Sequence, residues 1–127
     1  MPTILIADDT PSEAALMASV VQSLGHVAQT VADGETCIST AKSIKPALIL
    51  LDVVMPKLDG FNTCRRIKKD PELAKTPVIM VTSKNQDSDK FWAEKQGANR
   101  FVTKPFTPES MAEAIKAFVP SANTPRT

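Results

Sequence analysis

The chain has 127 residues, the size of a single domain, and its 43% hydrophobic content is enough to bury one core. Charged residues make up 23% and the net charge is +1, which excludes a disordered polyelectrolyte and gives no reason to expect nucleic acid or an anionic membrane as partner. The longest apolar runs, such as Ala47-Leu48-Ile49-Leu50-Leu51, fall far short of the ~18 residues needed to span a bilayer. The start of the chain also lacks the basic region and long apolar stretch of a signal peptide.

The predicted elements alternate. Ile4 to Ala7 reads as a first strand, apolar at successive positions as a strand buried on both faces should be. A helix follows. Thr10 stands at its cap, Pro11 at the first helical position and Glu13 at the third. Met17, Val20, Val21 and Leu24 recur at helical spacing before Gly25 ends it. Val27 to Val31 is a second strand, and a helix from about Gly34 to Ile44 follows Asp33 as cap.

Ala47 to Leu51 is a third strand. Met55-Pro56-Lys57-Leu58-Asp59-Gly60 is a turn by composition. The third helix begins near Phe61 and stops before Asp70-Pro71, because the residue before proline disfavours the helical region. Val78 to Val81 is a fourth strand. A fourth helix covers about Ser88 to Gln96 and closes on Gly97. Arg100 to Val102 is a fifth strand. Thr107 and Pro108 then open a fifth helix, with Met111, Ala114, Ile115 and Phe118 on one face. Residues 121–127 form a polar tail, expected to fray beyond a domain of residues 1–120.

Five strands alternating with five helices imply a doubly wound parallel sheet with helices on both faces. The flavodoxin-like (βα)5 arrangement, strand order 2-1-3-4-5, fits this size best. Such sheets bind ligands beyond the carboxyl ends of their strands, where strands one and three diverge. Strand one ends in Asp8-Asp9, strand three in Asp52, strand four in Thr82-Ser83 and strand five in Lys104-Pro105. Three carboxylates, a hydroxyl and an ammonium therefore converge on one edge. Carboxylates crowded there repel one another unless a cation intervenes, and a hard divalent ion with oxygen ligands meets that need.

Asp8-Asp9, Asp52 followed by Met55-Pro56 and Asp59-Gly60, Thr82, and Lys104-Pro105-Phe106 resemble the receiver domains of two-component response regulators (the CheY-like superfamily), over residues 3 to 119. The resemblance implies that Asp52 takes a phosphoryl group from a histidine kinase or phosphotransfer protein. It implies Mg²⁺ on Asp9, with Asp8 helping directly or through water, and with Asp52 and the Val54 carbonyl as further ligands. Lys104 and the Thr82 hydroxyl would bind phosphoryl oxygens. Lys104-Pro105 is commonly cis in such domains. Thr82 and an aromatic on strand five, here Phe101, would form the switch; the tyrosine often found at the second position is phenylalanine in this chain. Phe91, Trp92 and Phe101 would contribute to a surface for a downstream protein target, with one of the adjacent Phe91 and Trp92 packing inward.

The stretch from Thr82 to Phe106 resembles PilH-type receivers of pilus-based twitching or phototactic motility. Because the chain ends soon after the fifth helix, a stand-alone regulator is expected; the cysteines read as those of a cytoplasmic protein, and a monomer is expected. It would either bind an output target or act as a phosphate sink for a shared kinase, and it would turn over no external substrate. Two other classes are weaker. Phosphatases of the haloacid-dehalogenase type resemble Asp-x-Asp-x-Thr after the first strand, where this chain has Asp8-Asp9-Thr10. A flavin phosphate would meet repulsion from the acidic first loop. Of the remaining residues, Cys37 and Cys64 read as reduced thiols without metal spacing. His26 reads as a surface residue, and Arg65, Arg66, Lys68 and Lys69 as a solvated basic face.

Overall fold

Apolar residues at successive positions cannot alternate between core and solvent, so these strands need cover on both faces. The computed structural model, which describes residues 2–53, 59–82, Lys95 and 97–120, supplies that cover. Its strands are β1 (Thr3–Ala7), β2 (Val27–Val31), β3 (Leu48–Asp52), β4 (Val78–Thr82) and β5 (Arg100–Thr103). They form one parallel sheet in the order β2-β1-β3-β4-β5, as expected. The described helices are α1 (Pro11–Ser23), α2 (Gly34–Ile44), α3 (Gly60–Lys69) and, at the C-terminal side, α4 (Pro108–Lys116). The helix expected from Ser88 to Gln96 lies outside the described residues apart from Lys95, as does the tail from Ser121.

The pleat divides the core in two. Leu5, Ala7, Ile49, Leu51, Val78 and Met80 pack with Cys37, Ile38 and Ala41 of α2 and Cys64 and Ile67 of α3. Ile4, Ile6, Leu48, Leu50, Ile79 and Val81 pack on the opposite face with Met17, Val20 and Val21 of α1 and Met111, Ala114 and Ile115 of α4. Each fully buried leucine or isoleucine contributes roughly 1.5–3 kcal/mol. The central strands β3 and β4 are buried at every position, whereas the edge strand β2 is mostly exposed.

Local signals set most boundaries. Asp33 caps α2 by accepting from the Thr36 amide at 2.7 Å. Thr107 and Ser110 form a reciprocal capping box on α4. Asp59, read from the sequence only as part of a turn, caps α3 through the Asn62 amide at 2.8 Å. Gly25, with φ +85°, takes the left-handed conformation that closes α1.

Two expectations fail. His26 is 3% exposed, not a surface residue. The reversal at Gly25 folds the chain back onto α1, and the His26 amide donates to the Val21 carbonyl. Neither ring nitrogen finds a hydrogen-bond partner among the described residues. Lys68 also departs from its basic run. Its ammonium turns back to donate to the Thr76 carbonyl at 2.7 Å and to Asn99 Oδ1 at 2.9 Å, while Arg65, Arg66 and Lys69 remain exposed.

Cys37 and Cys64 are free thiols on the helices, as expected, and both are buried. Burial pushes the Cys37 thiol up to about 12, with the Asp33 charge adding to it, and pushes Cys64 up to about 11. Both thiols therefore stay protonated and act as small core side chains. No helix among the described residues is long and apolar enough to cross a membrane.

Candidate functional site

Three strands of the sheet deliver the acidic and hydroxyl groups. Asp8 follows β1, Asp52 is the last residue of β3 and Thr82 is the last of β4. β1 and β3 are hydrogen-bonded neighbours, with Ala7 opposite Leu51, so their carboxyl ends emerge side by side. Asp8, Asp52 and Thr82 are 3%, 7% and 1% exposed. Carboxylates are rarely this buried without a partner.

The partner is Lys104, just past β5. Its amide donates to the Thr82 carbonyl at 2.7 Å, which ties the lysine to the end of β4. The Lys104–Pro105 peptide is cis. The Lys104 ammonium lies 2.9 Å from Asp8 Oδ2 and 3.8 Å from Asp52 Oδ2, and it also pairs with Glu13. Burial alone would lower its pKa. The bonds to Glu13 and Asp8, with the Asp52 charge, outweigh that, and the pKa stands above the ordinary lysine value. Lys104 is thus a permanent cation among three carboxylates, the intervening charge that their crowding requires.

Glu13 is the residue that the sequence concealed. Thr10-Pro11-Ser12-Glu13 has the pattern of a capping box, which assigns Glu13 to the helix end. Thr10 does occupy the N-cap of α1 but makes no side-chain cap bond. Its amide is instead held by Asp8 Oδ1 at 2.9 Å. Glu13, released from capping, reaches Lys104. Only its place one turn into the helix, five residues beyond Asp8, could have signalled this.

Asp8, Glu13 and Asp52 each offer a carboxylate oxygen within 4.8 Å of the others, close enough to hold a metal ion. The donor set is all oxygen and anionic, which suits a hard divalent cation. Asp9 is not part of this triad. It is exposed and lines a groove of about 430 Å³ with Ala14, Ala18, Thr30 and Val31, beside the carboxylates. Val54, Phe91 and Trp92 lie outside the described residues.

Gly60 is a second residue whose role the sequence did not reveal. A Cβ there would lie 2.2 Å from the Asp52 carbonyl oxygen and 2.6 Å from the Val53 Cα. Its amide donates to the Val53 carbonyl at 2.7 Å. The start of α3 therefore rests directly on the backbone of Asp52, and only glycine permits that approach.

Phe101 is half-buried on the α2/α3 face. It stands opposite Met80, and Thr82 lies two residues further along the same pair of strands, opposite Thr103. The period-2 pleat sends Met80, Thr82, Phe101 and Thr103 to one face. Thr82 and Phe101 are thus diagonal neighbours of the kind that long side chains can bridge.

Residues 4–116 match the family model of the response regulator receiver domain. Protein PilH of Pseudomonas aeruginosa is 38% identical over 117 residues, which are 92% of this chain and 97% of PilH. Among solved structures, the chemotaxis protein CheY4 of Vibrio cholerae is similar with a TM-score of 0.88 at 26% identity, covering 94% of this chain and 99% of that one. The receiver domain of the sensor histidine kinase PA1611 of Pseudomonas aeruginosa, solved with a magnesium ion coordinated in its active-site cleft, is similar with a TM-score of 0.85 at 26% identity, covering 92% and 96% of the two chains. The sheet order, the convergence of strand ends and the sequence all agree, and the chain belongs to the response regulator receiver domain family.

Proposed function

We propose that the chain is a phosphoacceptor regulator of a two-component or chemotaxis-like phosphorelay, and that Asp52 carries the phosphoryl group. One observation carries this reading: Asp52 ends the central strand beside Asp8, with the Lys104 ammonium 3.8 Å from its carboxylate. An Asp52 oxygen attacks phosphorus, the bond from phosphorus to the donor breaks, and its electron pair leaves with the donor, giving an acyl phosphate. The donor is a histidine kinase or phosphotransfer protein.

Asp8, Asp9 and Asp52, with the Val54 carbonyl, would hold Mg²⁺. When bound, Mg²⁺ offsets charge on the transferring group. The Lys104 ammonium, 3.8 Å from the Asp52 carboxylate, stands near enough to pair with a phosphoryl oxygen carried there. The Thr82 hydroxyl donates to another oxygen. The added charge of about −1.5 to −2 is then read through Thr82 and Phe101, which share a face of adjacent strands. Lacking a hydroxyl, Phe101 can signal only by packing. The signal passes to a protein partner, with Phe91 and Trp92 expected on that surface. The resemblance to PilH-type receivers suggests pilus-based motility as the setting, with either an output target or a phosphate-sink role.

The test is mass spectrometry of the intact protein after incubation with Mg²⁺ and a small phosphodonor. Wild type gains one phosphoryl mass, and Asp52→Asn gains none. Equal labelling of Asp52→Asn removes the proposal.

A further inference from the structure

Among the described residues the Lys104 ammonium has three acidic ties, and they are not equivalent. Asp8 is fixed: its side chain is fully buried, and its other oxygen is occupied by the Thr10 amide. Asp52, at 3.8 Å, is a charge contact beyond hydrogen-bond length. Glu13 is the adjustable partner. Its side chain is 41% exposed, it stands on the first turn of α1, and it is not engaged by the helix cap it appears to form.

We propose that Glu13 is a positioning residue that restrains phosphorylation by holding the Lys104 ammonium on the α1 side of the site, away from the oxygens of a phosphoryl group on Asp52. This rests on the phosphoacceptor reading above. A lysine ammonium has three donors and a compact charge, so a bond held by Glu13 is a donor withheld from the phosphoryl oxygens. Release of Glu13 into solvent frees that donor while the buried Asp8 contact stays intact. The first turn of α1 therefore sets how readily the acceptor is charged, a property that the Asp8, Asp52, Thr82 and Lys104 set does not vary.

The experiment follows labelling of the full chain by acetyl phosphate at saturating Mg²⁺, with acetate as the leaving group. Wild type, Asp52→Asn, Glu13→Gln and Glu13→Asp are compared. Glu13→Gln removes the charge. Glu13→Asp keeps it but shortens the reach by one methylene, which separates contact with Lys104 from simple repulsion of the donor. Both Glu13 variants are expected to label about two- to fivefold faster than wild type, the range available from an ion pair with one partly exposed member. Their thermal midpoints should stay close to wild type, and Mg²⁺ affinity is read in parallel by calorimetry, because Glu13 also lies within reach of the candidate cation site.

Unchanged rates in Glu13→Gln overturn the proposal while leaving the acceptor reading intact. Acceleration in Glu13→Gln but not in Glu13→Asp overturns it in favour of charge repulsion alone. Slower labelling with several-fold weaker Mg²⁺ binding overturns it by making Glu13 a metal ligand. If wild type takes no label, or Asp52→Asn labels equally, the acceptor reading fails and this inference falls with it.

Discussion

The two rims of the sheet each half-bury a lysine, and the lysines are held in opposite ways. At the carboxyl-end rim, Lys104 is surrounded by Asp8, Glu13 and Asp52, and its pKa is raised. At the amino-end rim, Lys68 donates to the Thr76 carbonyl and to Asn99 Oδ1, which also accepts from the Val78 amide. With these two neutral acceptors, burial dominates and its pKa is lowered. The Lys68 rim satisfies backbone polar groups where α3, β4 and β5 meet. Among the described residues, the Lys104 rim gathers three carboxylates around one lysine, and that surplus of negative charge suits it to a cation and a phosphoryl group. The glycines differ in parallel. Gly60 abuts backbone at the acceptor, whereas a Cβ on Gly97 would meet the Lys68 side chain at 2.9 Å.

The largest expected effect is at Gly60. Gly60→Ala would force a Cβ against the Asp52 carbonyl and should cost about 3 kcal/mol by urea denaturation. The surviving folded fraction should label more slowly, because α3 must lift off the acceptor strand. Wild-type labelling in a folded Gly60→Ala protein would show that the contact only supports the scaffold.

Next is Lys104→Met, which leaves the buried Asp8 with the Thr10 amide as its one donor among the described residues. A loss of about 2 kcal/mol is expected, below that of a fully buried pair because Glu13 is partly exposed, together with loss of rapid labelling. The wild-type advantage should be full below the unfolded lysine value of 10.5 and fade as pH rises through the higher folded value.

The smallest effect is at Lys68. Lys68→Met should cost about 1 kcal/mol after allowance for partial exposure, and it should leave labelling unchanged. Its pH dependence has the opposite sign. The folded pKa lies below the unfolded one, so the burial cost of the charge is relieved as pH rises from the folded value toward 10.5, and the wild-type advantage grows there. Parallel pH profiles for Lys68→Met and Lys104→Met, or lost labelling in Lys68→Met, would break the contrast between the rims.

Particular residues show how much was legible. Strand patterns in the sequence place Asp8, Asp52, Thr82 and Lys104 at one rim, because an apolar run ending in a polar residue marks both a strand and its exit. Asp33, Thr107 and Gly25 marked helix ends correctly for the same local reason. His26 failed because a single polar residue carries no periodicity, and the turn at Gly25 decides where it points. Lys68 failed because three exposed basic neighbours hid the one that turns inward.

Sequence alone determined the parallel sheet, its strand order and the four groups at the carboxyl rim, since these follow from periodicity, handedness and position along the strand. Tertiary structure alone decided that Glu13 leaves its cap for Lys104, that Gly60 touches the Asp52 backbone, and that Thr82 and Phe101 share a face. Each of these is a contact between segments distant in sequence or a competition between two partners. Local patterns name the candidates for such contacts, but only packing chooses among them.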